Sequence, residues 1–281
     1  MTSTPVPESA LTAEAPASAE AALEVAAVEV RGVRFRFPSG QAALDDVRFT
    51  ARAGERVAIV GPSGAGKSTL LMHLNGLLPE RLPAVPQSTV FIEGVAVAPE
   101  TAADVRRRVG FLFQDPDDQL FCPTVREDVA FGPLNLGLPS AEVRGLVTSS
   151  LELVGLGAEY AERSTLQLSV GERKRVCLAG VFACRPSVLA LDEPSANLDP
   201  RARRNLLQIL NRFNGCQIIA THDLDLVVEH CHRVVVLDHG KVFADGPPAQ
   251  VLRDEWLLKQ HGLEVPLRLL LDDSMPRHSL S

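Results

Sequence analysis

The chain has 281 residues, is 46% hydrophobic and 22% charged, and carries a net charge of −7 at pH 7. That length suits one large domain, or one core with an inserted subdomain, and the composition excludes a wholly disordered, collagen-like or disulfide-stapled chain. The acidic balance argues against a mainly electrostatic nucleic-acid binder, which needs Lys and Arg for phosphates.

Five cysteines (Cys122, Cys177, Cys184, Cys216 and Cys231) form no CxxC pair and lie in apolar or mixed segments, so buried free thiols in a reducing compartment are expected. The N-terminus lacks a basic region followed by an apolar one, as a secretory signal would have. No apolar run reaches the roughly 18 residues of a membrane span, so a membrane role must come through a partner.

Residues 1–27 hold four glutamates and no Lys or Arg, and read as a solvated, mostly disordered tail with nascent helix near 17–27. Val33, Phe35 and Phe37 alternate with Arg34 and Arg36, a half-buried strand ended by Pro38-Ser39-Gly40. Leu44–Ala51 and the apolar run Arg56–Val60 read as strands, and Lys67–Leu74 as a helix after a Gly-rich turn. Ser88–Val97 and Val109–Phe113 are further strands. Between 115 and 183 no buried strand is expected; helices are expected at Val125–Ala130, Ser140–Leu153 and Val170–Ala183. Strands resume at Ser187–Leu191, Gln217–Thr221 and Arg233–Leu237, with a helix at Arg201–Phe213 and a last strand at Lys241–Ala244. This alternation predicts a mostly parallel sheet. Residues 250–281 lie beyond this core; Trp256-Leu257-Leu258 and Leu267–Leu271 are apolar enough to pack back on the domain, the default expectation, or across a dimer.

Gly61-Pro62-Ser63-Gly64-Ala65-Gly66-Lys67-Ser68-Thr69 fits the phosphate loop GxxxxGK[ST], with a strand before it and a helix after it. Glycines let backbone N–H groups converge on phosphate oxygens, and the helix N-terminus adds a favourable dipole. Lys67 is placed to reach the β- and γ-phosphates of ATP and the Ser68 hydroxyl to ligate Mg²⁺. The apolar strand Val188–Leu191 ends in Asp192-Glu193. At a carboxyl end of a parallel sheet, Asp192 would hold the Mg²⁺ shell and Glu193 would polarise a water for in-line attack.

Leu168-Ser169-Val170-Gly171-Glu172 opens the third of the expected helices and on its own reads as a plain N-cap. With the other two motifs it resembles the LSGGQ signature of ABC transporter nucleotide-binding subunits, with Val170 and Glu172 standing where that pattern has Gly and Gln. The resemblance runs over about residues 28–245. It implies an α/β P-loop NTPase (RecA-like) fold: a mostly parallel sheet core with an antiparallel β-subdomain and an α-helical subdomain inserted at about 115–183, the whole ATPase domain at 28–249. It also implies that Ser169 and Gly171 bind the γ-phosphate of ATP held by a second subunit. Gln114 looks like the Q-loop glutamine that ligates Mg²⁺ and water. Asn197-Leu198-Asp199 looks like the D-loop at the dimer interface, and His222 like the switch histidine at the γ-phosphate. Phe37, 24 residues before Gly61, resembles the aromatic residue that stacks on adenine; a core-facing strand Phe is the alternative.

Phe111–Phe121, Phe131–Pro139 and Ala179–Ala183 further resemble energy-coupling-factor (ECF) ATPases, especially the cobalt/nickel types. That resemblance implies a peripheral subunit on the cytoplasmic face of the cell membrane, paired as a homodimer or heterodimer. Its partners would be a membrane scaffold protein and a substrate-capturing membrane protein, and the latter, not this chain, would bind the cargo ion. The ATPase of another ABC importer or exporter, for a vitamin or other solute, shares every motif. A soluble ABC ATPase fits less well, because one phosphate loop stands only about 100 residues before Ser169. Two metal-site readings are set aside: His230-Cys231-His232 leads into a strand, where neighbouring side chains diverge, and Asp115–Asp118 reads as a solvated loop.

Overall fold

The structure, a computed structural model, describes residues 25–274. The strands are β1 (Val28–Arg36), β2 (Ala42–Ala51), β3 (Arg56–Val60), β4 (Val90–Ile92), β5 (Val95–Ala96), β6 (Val109–Leu112), β7 (Val188–Asp192), β8 (Cys216–Ala220), β9 (Arg233–Asp238) and β10 (Lys241–Gly246). The helices are α1 (Lys67–Leu74), α2 (Ala102–Arg108), α3 (Val125–Asn135), α4 (Ser140–Leu153), α5 (Val170–Ala183), α6 (Pro200–Asn211), α7 (Leu224–His230), α8 (Pro248–Val251), α9 (Glu255–Gln260) and α10 (Leu267–Ser274).

A six-stranded sheet runs β10-β9-β3-β8-β7-β6, parallel except for the β9–β10 hairpin. A separate antiparallel sheet runs β2-β1-β4-β5. Parallel strands covered on both faces read as continuous apolar runs. Side-chain alternation then divides them between two cores. Leu189 and Leu191 of β7, with Ala58 and Val60 of β3, join Val129, Val147, Leu178 and Leu210 from the helical side. Val188, Ala190, Val57 and Ile59 point the other way, to Leu70, Leu71 and Leu74 of α1 and to Val30, Val47 and Ile92 of the antiparallel sheet.

The helices α3, α4 and α5, which follow β6 and precede β7 in the chain, pack on one another. Capping boxes start α3 (Thr124 with Glu127) and α5 (Ser169 with Glu172). The helix expected to end at Ala130 runs on to Asn135 through Gly132 and Pro133. Its buried stripe Val125, Val129, Pro133 is spaced four apart, and packing along that stripe outweighs the two breakers.

Two other expectations change, and a further helix appears. The strand expected over Ser88–Val97 is the β4–β5 hairpin: Glu93 (φ 48°) and Gly94 (φ 77°) form a two-residue turn with both φ positive, the geometry that matches strand twist. The helix α7, which lacks a clear signal in the sequence, starts where the Asp223 side chain accepts from Leu226 N at 2.8 Å. It ends in buried His230, whose Nε2 lies 2.9 Å from Gln217 Oε1, so His230 is a core residue. Ala27, placed in the tail by its composition, is buried, and its carbonyl accepts from Glu93 N at 3.0 Å. Residues 1–24 of that expected tail lie outside the described residues.

All five cysteines are free thiols. Among the described residues no helix is long and apolar enough to cross a membrane, and no cluster of three metal-ligating side chains occurs. Past 250, Leu252, Leu258 and Leu269 join the helical-side core and α10 touches α7, whereas Trp256 is 70% exposed. Packing within one chain therefore rests on Leu258 and Leu269. Leu258→Ala should cost about 2–5 kcal/mol by cavity formation, and Trp256→Ala should stay within about 0.5 kcal/mol, both read by urea unfolding. Equal effects would contradict this packing.

Candidate nucleotide site

The carboxyl ends of β3, β7 and β8 lie side by side at the centre of the sheet: Ile59 pairs Ala220, and Ala220 pairs Asp192. An open parallel sheet presents its ligand crevice at that edge. Out of β3 comes Gly61, at φ 151°, where an added Cβ would stand 1.8 Å from the Leu237 carbonyl oxygen. Only glycine fits there. The loop turns through Pro62 and Ser63, with Ala65 N donating to Pro62 O at 3.2 Å, and Gly66 (φ 104°) leads into α1. From behind, the β9–β10 turn braces the loop, as Gly240 N donates to Ala65 O at 3.0 Å.

Lys67 curls back and its Nζ donates to Gly61 O (2.7 Å) and Pro62 O (3.0 Å). Burial lowers its pKa, while Glu193 and Asp192 oppose that shift. A shallow depression of about 170 Å³ over the loop is lined by Gly64–Thr69 together with Phe37 and Gln41. Phe37 stands just past the end of β1, 37% exposed, with its ring edge-on to Phe35 at 5.1 Å. Thus it rims the loop rather than filling the core.

Asp192 ends β7 and is buried, which raises its carboxyl above the ordinary carboxylate range; a hydrogen bond from the Ser68 side chain works against this. Its Oδ1 is buried with no hydrogen-bond partner. A spare hard carboxylate oxygen next to a serine hydroxyl is a donor set that suits Mg²⁺, which takes one or two protein oxygens and completes its shell elsewhere. Glu193 follows with φ 43° and is also buried. Its Oε2 accepts from Thr221 Oγ1 (3.2 Å) and His222 N (3.3 Å) and lies 2.8 Å from His222 Nδ1. The fold therefore brings Lys67, Ser68, Asp192, Glu193 and His222 to one edge.

Gln114 is exposed just beyond β6. Leu112 pairs Leu191, so Gln114 follows the strand next to the one that Glu193 follows. The neighbouring loop is held locally, as Asp117 N donates to the Asp115 carboxylate at 2.9 Å, and by α5, where Arg173 pairs with Asp117.

Ser169, Gly171 and Asp199 are elsewhere. They line an open groove of about 570 Å³ between the start of α5 and the start of α6. Asp199 caps α6, accepting from Arg201 N and Ala202 N, both at 2.8 Å. Glu172 folds onto its own helix end: its carboxylate accepts from Ser169 N (2.8 Å), Ser169 Oγ (2.7 Å) and Tyr160 OH (2.7 Å), which lowers its pKa to about 2.

Residues 44–196 match the profile of the ABC transporter family. The chain belongs to that family. It is 51% identical over 241 residues, covering 85% of this chain and 97% of the other, to a Gloeobacter violaceus protein named as an ABC transporter ATP-binding protein. It is 43% identical over 242 residues (85% of this chain, 76% of the relative) to the energy-coupling factor transporter ATP-binding protein EcfA of Methanothermobacter thermautotrophicus. A solved structure of cbiO1 from Clostridium perfringens, described as part of the ABC transporter complex cbiONQ, superposes with a TM-score of 0.72 at 33% identity, covering 89% of this chain and all of that one. This chain is thus an ABC ATPase subunit with a P-loop NTPase fold, from a family that binds ATP and couples its hydrolysis to transport.

Two residues that contact Glu193 carry no clear signal in the sequence. Thr221, fully buried, donates to Glu193; its only sequence signal was its place before His222. Lys174, also buried, donates to the carbonyls of Glu193, Pro194 and Ala196; a lone lysine in a basic run gave no hint of burial.

The raised Asp192 pKa has a stability consequence. Above that pKa the folded chain holds a charge that the unfolded chain carries more cheaply, so this contribution falls as pH rises through it. Asp192→Asn should therefore raise the thermal unfolding midpoint of the nucleotide-free protein at pH 7.5. The gap should close as pH falls toward about 4, where a free carboxyl protonates. A variant melting below the wild type at pH 7.5 would contradict this.

Proposed function

We propose that this chain is the ATPase of an ECF-type importer, working from the cytoplasmic face of the cell membrane with a scaffold protein and a small substrate-capturing protein, and that the cargo is cobalt or nickel. The observation that carries the reading is the joint likeness to EcfA proteins at 43% identity and to a cbiONQ component at 33%. The stretches Phe111–Phe121 and Phe131–Pro139 support it, and Phe121 and Phe131 stand exposed with rings 4.6 Å apart, an apolar surface open to a partner.

In this reading residues 28–249 form the ATPase domain, with 115–183 as its helical subdomain. Phe37 stacks on adenine. The backbone of Gly61–Thr69 cradles the phosphates, with Lys67 on the β- and γ-phosphates. Ser68 and Asp192 would hold Mg²⁺, with Gln114 completing the set; the ion supplies charge neutralisation for the phosphates. Glu193 orients and deprotonates the attacking water, and His222, on the Glu193 carboxylate, reaches the γ-phosphate. Ser169, Gly171 and Asp199 act on the nucleotide of a second ATPase chain, because their groove is separate from the phosphate loop.

Two measurements check this. A tagged pull-down from solubilised membranes should recover a scaffold protein with a small metal-binding membrane protein; a different permease would place the same ATPase in another ABC transporter. Lys67→Ala should lose about 100-fold or more in turnover, the scale of removing one preorganised charge donor. Unchanged turnover would refute the role of the loop.

A further inference from the structure

Lys174 lies in the second turn of α5 and is 2% exposed. Lysine is almost never fully buried unless its charge is met. Here the ammonium, with three protons to donate, donates to the carbonyl oxygens of Glu193 (3.0 Å), Pro194 (3.3 Å) and Ala196 (2.8 Å). The turn after β7 thus wraps around a cation supplied by another element. The turn starts at Glu193, whose positive φ is costly for a residue with a side chain. From that backbone the Glu193 carboxylate reaches Thr221 and His222. The negative charges around the ammonium are Asp115, Asp192 and Glu193; burial opposes its charge and they support it.

We propose that Lys174 is a positioning residue that fastens the helix carrying Ser169 and Gly171 to the backbone of Glu193, so that the helix facing the partner's nucleotide also sets the aim of the base. The inference rests on the reading of Glu193 as the base. Lys174 reaches no reacting atom itself; removing its charge frees the three carbonyls, and the turn relaxes. A base displaced by about an ångström costs on the order of 100-fold in rate.

The test uses the full chain with its co-purified partners, at saturating Mg²⁺ and ATP. Lys174→Met should lower kcat about 10- to 100-fold while KM for ATP moves by less than about two-fold. Lys174→Arg, which keeps the charge, should recover part of the rate. If the Met variant does not fold, Lys174→Gln, which keeps an N–H donor, should show the same split. Combined with Glu193→Gln, Lys174→Met should cause no further loss, because the two act through one group. A folded Lys174→Met or Lys174→Gln enzyme with wild-type kcat, or a loss confined to KM, would overturn the proposal. Glu193→Gln alone separates the two readings: wild-type turnover there removes Glu193 as base, whereas a dead Glu193→Gln beside a fully active Lys174→Met removes only the positioning role.

Discussion

Two neighbouring carboxylates, Asp192 and Glu193, sit nearly buried at the end of one strand, and the surroundings answer their charge. Adjacent buried acids repel and lose hydration. Lys67 approaches from the phosphate loop and Lys174 from α5, and both lysines feel the same two acids. Thr221 and His222 take up one Glu193 oxygen, while one Asp192 oxygen is left without a partner. The arrangement is stable enough to fold and still short of positive charge at one atom. A site built to receive a cation and a polyphosphate has that character.

The sheet makes the arrangement possible. Parallel pairing of β3, β7 and β8 brings their carboxyl ends level, so residues far apart in sequence meet at one edge. The other motifs are held by local devices: Glu172 completes a capping box at Ser169, and Asp199 caps α6. They line a second groove, and a proposed composite site follows from the separation, since neither groove by itself carries both sets. The carboxylate of Glu172, engaged by Ser169 and Tyr160, belongs to the scaffold of its own helix end.

Much of this was legible in the residues. The bounds of α1, α4 and α5 agree with expectation, because each begins at a clear signal: a glycine turn before Lys67, Pro139-Ser140, and Ser169 with Glu172 three residues on. Asp192 and Glu193 were legible because a short apolar run delivers them. What the sequence hid depends on tertiary context. The end of α3 lies beyond two breakers that packing overrides, and Glu93-Gly94 looked like part of a strand until the hairpin closed. Lys174 was invisible because burial of a charged side chain is decided by distant carbonyls, not by neighbours in sequence.

The claim on which the account turns is that ATP is held between two chains and that Glu193 ends that state. The most direct measurement is the solution mass of the Glu193→Gln protein with and without Mg²⁺ and ATP, by sedimentation. The account predicts an ATP-dependent doubling from the 30.3 kDa chain, with nucleotide retained and none hydrolysed. A variant that binds ATP yet stays at the mass of one chain, or that turns over like the wild type, would contradict it.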